Sequence, residues 1–182
     1  MNKLQAINEM LACIGQTPIS SLQGNKTART VIAENILDNE IESTQLLGWY
    51  FNTEHDYRLH PDEDEEIVLP INTLKVDVTR DLNEYVQRGG RLYNLTQHTF
   101  KIKHPVTATI VFKLTFDELP PSAQKFITMN AANKFVAKTK ESQDAYAFTQ
   151  VEVDEAKAAL LQSECDTGGY SMLDMFARRW EL

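Results

Sequence analysis

The spacing of apolar residues changes period twice along this chain, which constrains its fold more than any other feature. Leu4, Ile7, Met10, Leu11 and Ile14 recur at helical spacing, and Gly15 follows as a stop. Thr17, Pro18, Ser20 and Ser21 supply loop chemistry. A longer helix starts near Asn25 or Thr27, with Ala28, Val31, Ile32 and Ile36 on one face. It runs on through Ile41 and Leu46 towards Trp49, and Glu34, Asp38, Glu40 and Glu42 fall largely outside its apolar stripe.

The period then becomes two. Phe51 to Arg58 is mixed and compatible with a strand, Pro61 to Glu66 is an acidic loop, and Ile67 to Pro70 is a short apolar run. Leu74, Val76 and Val78 alternate with polar neighbours, as do Phe100 and Ile102. Val106, Ala108, Ile110, Phe112 and Leu114 form the clearest strand. Gly89-Gly90 between Tyr85–Arg88 and Arg91–Asn94 predicts a hairpin, because the turn needs positive φ.

Helical spacing returns after Pro120-Pro121, with Pro121 suited to a first turn. Ala123, Phe126, Ile127, Ala131 and Phe135 make one face. A further helix covers about Ser142 to Cys165, with Ala145, Phe148, Val151, Ala156, Ala159 and Leu160 on its drier side, and Thr167-Gly168-Gly169 ends it. The expected class is therefore α+β. Two N-terminal and two C-terminal helices (1–50 and 116–166) pack as a four-helix bundle, since none can bury its stripe alone. A central antiparallel β insertion of about five strands (51–115) projects between them, and a C-terminal arm (167–182) follows.

With 42% hydrophobic and 24% charged residues the chain is neither disordered nor fibrous. No apolar run approaches the roughly 20 residues needed to span a bilayer, and Gln5, Asn8 and Glu9 interrupt what would be a secretory signal. The chain is read as cytosolic when made, with reduced thiols, so Cys13 and Cys165 are expected as small separate core-edge residues rather than a disulfide. The formal charge of −8 opposes holding duplex DNA by its phosphates. That charge is uneven. Residues 1–66 hold four Lys/Arg against twelve Asp/Glu, residues 67–113 seven against three, and residues 114–182 seven against eleven. Such contrast between segments favours docking of one copy on another.

Chemistry-bearing motifs are sparse. G-x-S-x-G, H-E-x-x-H, the P-loop and G-x-G-x-x-G are all missing. His55, Asp56, His60, Asp62 and Glu63 cluster as imidazoles and carboxylates do around a metal, but match no ligand spacing and read as a solvated acidic loop. No catalytic, cofactor or metal residues are therefore assigned, and no cofactor is expected. The strongest local hint is the last segment. Tyr170, Met172, Leu173, Met175, Phe176 and Trp180 concentrate apolar and aromatic surface into a few residues, with Met172, Leu173, Phe176 and Trp180 on one helical face. Such clusters are rarely left in water, and these residue types anchor interfaces. The segment either folds back on its own helices or buries its aromatics against a neighbouring chain.

Several segments together resemble tail tubular protein A of short-tailed, podovirus-type bacteriophages. They are Ile7-Asn8-Glu9-Met10-Leu11-Ala12 with Ile14 to Leu22; Gly48-Trp49-Tyr50-Phe51-Asn52; Asp117-Glu118-Leu119-Pro120; and Gly168-Gly169-Tyr170-Ser171-Met172-Leu173-Asp174. They keep their order over nearly the whole chain. The chain stops soon after the last of them, which fits a missing C-terminal extension.

The resemblance implies a structural adaptor of the virion tail, synthesised in the host cytoplasm. It implies a ring, commonly of twelve copies, beneath the portal and above the tail nozzle. Double-stranded DNA passes through its lumen without sequence-specific binding, and no membrane is involved. The alternative expectation, from another class, is a tail-associated polysaccharide hydrolase. It would use acidic-loop carboxylates such as Asp62, Glu63 and Glu66 as acid and base or nucleophile.

Overall fold

A computed structural model describes residues 1–78, 84–139 and 143–168, with side chains for all of these except 143–149. Among the described residues the fold is α+β, with four helices, a three-stranded antiparallel sheet and a two-stranded hairpin. The chain divides into two compact units, Met1–Thr44 with Thr115–Leu182, and Gln45–Leu114.

The first unit holds the helices. Helix α1 (Lys3–Ala12) starts on a capping box, in which Asn2 accepts from the Gln5 N–H and the Gln5 side chain accepts from the Asn2 N–H. Ala6, Ile7, Met10 and Leu11 are its buried face. Asn8 then pins the following loop, because its side-chain amide bonds both the N–H and the C=O of Ile19, at 2.8 and 2.9 Å.

Helix α2 (Ala28–Gln45) is shorter than expected and rotated. Ala28, Val31 and Ile32 are exposed, whereas Thr30, Ala33, Ile36, Leu37, Glu40, Ile41 and Thr44 are buried. Counting apolar residues alone misplaced the stripe, since Thr30 turns inward on Thr27 Oγ1 and Glu40 turns inward on partners from another helix. The helix stops before Leu46 and Leu47, both exposed, and Gly48 takes φ +71°.

Helix α3 (Pro121–Thr139) packs on both α1 and α4 (Gln143–Gly168) and is buried on most of its circumference, with Phe135, Ile127 and Met129 fully enclosed. Its entry is a 3-10 turn at Phe116–Glu118, where the Glu118 carboxylate accepts from both the N–H and the hydroxyl of Thr115. Gln124 closes the turn by donating to the Phe116 carbonyl. The Thr115 N–H first, and its hydroxyl second, favour the ionised form of Glu118 and lower its pKa below the ordinary carboxylate range. The stabilisation is therefore present above the ordinary Glu pKa and lost as pH falls through the lowered one. An NMR titration should place Glu118 below a free glutamate, and Thr115→Val, which removes the hydroxyl donor but keeps the backbone one, should raise it only part of the way back.

On α4 the buried stripe is Val153, Ala156 and Leu160. Val151 and Ala159, expected on the drier side, are exposed; helical spacing of three and four residues from Val153 excludes both from its stripe. Ala145 and Phe148 lie outside the described side chains. Cys13 and Cys165 are free thiols. Burial, with the charges of Glu152 and Glu9, raises the Cys13 pKa, so this thiol stays protonated near neutral pH.

In the second unit, β1 (Thr53–Leu59), β5 (Val106–Phe112) and β2 (Thr73–Val78) form an antiparallel sheet in the order β1-β5-β2. The central strand is the sequence's clearest alternation. A bulge between Glu54 and Tyr57 carries Asp56 at φ +54°. Strands β3 (Tyr85–Arg88) and β4 (Arg91–Asn94) close on Gly89 and Gly90 at φ +58° and +73°, as a primed turn requires. They form a separate sheet rather than joining the other three.

The apolar run at 67–69 lines the hairpin, with Leu92 N–H donating to Ile67 C=O and Leu69 N–H to Gly90 C=O. The Phe100–Ile102 alternation is not a strand. Thr99 and Lys101 make single bridges to Asn94 and Glu66, too few to continue a ladder. Ile67, Leu92, Ile110 and Ala108 centre one apolar core between these pieces.

Candidate functional site

Three places carry the sequence expectations: the acidic loop, the hairpin with its flanking segment, and the C-terminal segment. In the acidic loop, Asp62 Oδ1 accepts from the N–H groups of Asp64 and Glu66, and the Asp62 N–H bonds the Glu66 carbonyl. Glu65 takes φ +63° at this turn. The Glu66 carboxylate is held 2.6 Å from Arg91 Nη1, and Glu65 lies 3.9 Å from Lys103. Asp62 thus shapes the turn, Glu65 and Glu66 pair with cations, and Glu63 and Asp64 are exposed on the loop. His55 Nδ1 lies 3.2 Å from Thr109 Oγ1 on the sheet, away from any shared ligand set. Among the described residues no three His, Cys, Asp or Glu side chains converge as metal ligands. A shallow recess of about 260 Å³ is lined by Tyr85, Asn94, Lys101, Lys103 and His104 among others, and by no carboxylate.

Sequence reasoning passed over the outward face of the hairpin. Cross-strand register places Arg88 opposite Arg91 and Val86 opposite Tyr93, so all four share one side. The Arg88 guanidinium sits 4.0 Å from the Tyr93 ring centroid, and the Arg91 guanidinium 4.2 Å from that of Phe100. The two rings meet edge-on at 4.8 Å. Two guanidinium groups lie on two touching rings, and of the two, among the described residues, Arg91 is already paired with Glu66 while Arg88 is not. The signal was present in Arg-Gly-Gly-Arg-x-Tyr at 88–93, but which residues face outward depends on the pairing register.

Gly48-Trp49-Tyr50-Phe51-Asn52 builds the base of the second unit. Asn52 Oδ1 accepts from the Trp49 N–H at 2.8 Å, while Nδ2 donates to the carbonyls of Gln45 and Phe112 at 2.9 and 2.8 Å. Gln45, fully buried, bonds both the N–H and the C=O of Leu114. The two ends of this unit are therefore tied by two side-chain amides. Gly48 has φ +71°, and a Cβ there would lie 3.3 Å from Thr53 Oγ1 and from Val111 Cγ2. Gly48→Ala should lower stability by about 1–2 kcal/mol, readable as a fall in the urea midpoint with unchanged slope.

Tyr170, Met172, Leu173, Met175, Phe176 and Trp180 lie outside the described residues. No helix among the described residues is long and apolar enough to cross a membrane.

A family model described as tail tubular protein matches residues 4–170. Tail tubular protein A of Klebsiella phage KP34 is 24% identical over 180 residues, covering 98% of this chain and 96% of that protein.

Proposed function

This chain belongs to the tail tubular protein family, structural components of the bacteriophage tail, and from that membership we propose that its copies form an adaptor ring between portal and tail nozzle. The observation that carries this reading is the extent of the family match, which takes in both compact units. In this reading the helices at 1–50 and 116–166 act together as a bundle in the ring wall. The β insertion at 51–115 projects from it, and the arm at 167–182 ties each copy to a neighbour or to the portal. Two features support a wall element. Helix α3 is enclosed by its neighbours, and the Gln45 and Asn52 amides brace the ends of the β unit.

Twelve copies at −8 each would carry roughly −96 before screening over about 10 Å. An acidic lumen would not grip phosphates, so the genome would slide through without sequence-specific contacts.

Imaging the purified chain bound to a portal ring tests the reading. A closed ring seated on the portal is expected, and failure to bind the portal would overturn it. A chain ending at Gly168 lacks the six apolar arm residues. It should keep its helical circular dichroism and fall at least about tenfold in copies retained per particle, a loss of roughly 1.4 kcal/mol or more per contact. Full retention would remove the arm from the interface.

A further inference from the structure

We propose that the Arg88–Tyr93–Phe100–Arg91 ladder of the hairpin is the anchor by which one copy docks on the outward face of α4 of a second copy. The proposal rests on the ring reading above and names its subunit contact. Arg88 is exposed and makes no ion pair among the described residues, yet its guanidinium is already held over Tyr93. A cation fixed in this way loses little further freedom when it meets a carboxylate, and its planar fork favours two parallel bonds. Arg and Tyr are also the residue types that dominate binding energy where they are packed together.

The partner must then present free carboxylates beside surface that rings can lie on. The acids of α2 are engaged within their own chain. Glu34 pairs with Lys26 and Lys3, Asp38 with Lys3, and Glu40 with Lys134. The outward face of α4 differs. Asp154, Glu155 and Asp166 are exposed and make no ion pair among the described residues; Gln150 donates to Asp154 and Gln162 to Asp166. Val151, Glu155, Ala158, Ala159, Gln162 and Asp166 recur at helical spacing on that exposed side, so acids flank a low apolar strip of alanines. Short side chains there let Tyr93 and Phe100 approach while Arg88 reaches a carboxylate.

The contact joins unlike surfaces, the ladder of one copy and α4 of the next, and in a ring it is heterologous. Such a contact repeats head to tail and closes into a ring when its rotation permits. This is the form of interface a ring subunit needs, and duplex DNA, the other acidic polymer in reach, would give no such order.

The test uses particles built with the full-length chain. Arg88→p-benzoylphenylalanine, irradiated, is expected to cross-link to residues 150–166 of a second copy. Arg88→Glu and Glu155→Lys should each cut the copies retained per particle at least about tenfold, and the double variant should recover to within about threefold of the starting level, because the charges are exchanged. Unchanged melting of the purified single variants, whose substituted residues are exposed, separates docking from folding. Cross-links to DNA, to the portal or to another surface of the chain would overturn the proposal, as would full retention of Arg88→Glu or failure of the double variant to recover. If the unsubstituted chain forms no ring in particles, the ring reading itself fails. A ring whose retention ignores both charge reversals leaves that reading standing and removes only this contact.

Discussion

Asn52→Leu is expected to destabilise the Gln45–Leu114 unit by about 3–5 kcal/mol. The residue is 3% exposed and its side chain makes three bonds, to the Trp49 N–H and to the carbonyls of Gln45 and Phe112. Leucine of similar volume leaves a buried N–H without its side-chain acceptor and two buried carbonyls without this donor, each costing about 1–3 kcal/mol where no other partner replaces it. Asn52→Asp separates shape from hydrogen bonding. It can still accept from Trp49 but presents oxygen to two carbonyls, so it should be no better than leucine near neutral pH. Urea unfolding of the full chain, followed by Trp fluorescence, reads both. A shift below about 1 kcal/mol for leucine would show that water replaces these bonds.

The second large effect is expected at Lys134. Glu40 is 5% exposed, and its two carboxylate oxygens are each 2.6 Å from a donor, Asn130 Nδ2 and Lys134 Nζ. Lys134→Met removes the only cation paired with this carboxylate among the described residues and leaves a charge in a buried site. Because the lysine side chain is itself 51% exposed, solvent softens the loss, and about 2–3 kcal/mol is expected rather than the full cost of an isolated buried ion. Glu40→Gln combined with Lys134→Met should recover at least half, since a neutral amide still accepts from Asn130. Thermal melting compares the three variants. An equal loss in the single and double variants would mean that packing of the lysine stem, not the ion pair, carries the stability.

Both sites explain why certain stretches of this sequence look as they do. Asn8 on Ile19, Asn52 on the ends of the β unit, and Glu118 on Thr115 are each a polar side chain satisfying nearby backbone groups where the chain changes direction. Those positions fall within or beside the segments that resemble tail tubular proteins. Part of the resemblance is therefore carried by residues that shape corners. The surfaces proposed to join copies lie elsewhere, on the hairpin and on α4.

The linear order of residues was enough to establish the alternation of helical and strand blocks, the Gly89-Gly90 turn, the start of α3 at Pro121 and the family, because each depends on neighbours within a few positions. It did not establish the rotation of α2, the separation of β3–β4 from the other strands, the outward side of α4 or the Arg–aromatic ladder. Those follow from partners distant in sequence: Glu40 turns inward because Lys134 and Asn130 receive it. Phe100 leaves the ladder of strands for the ring of Tyr93. A hydrophobic count treats every polar residue as outward-facing, and only packing reveals which polar groups are met by a complementary one inside.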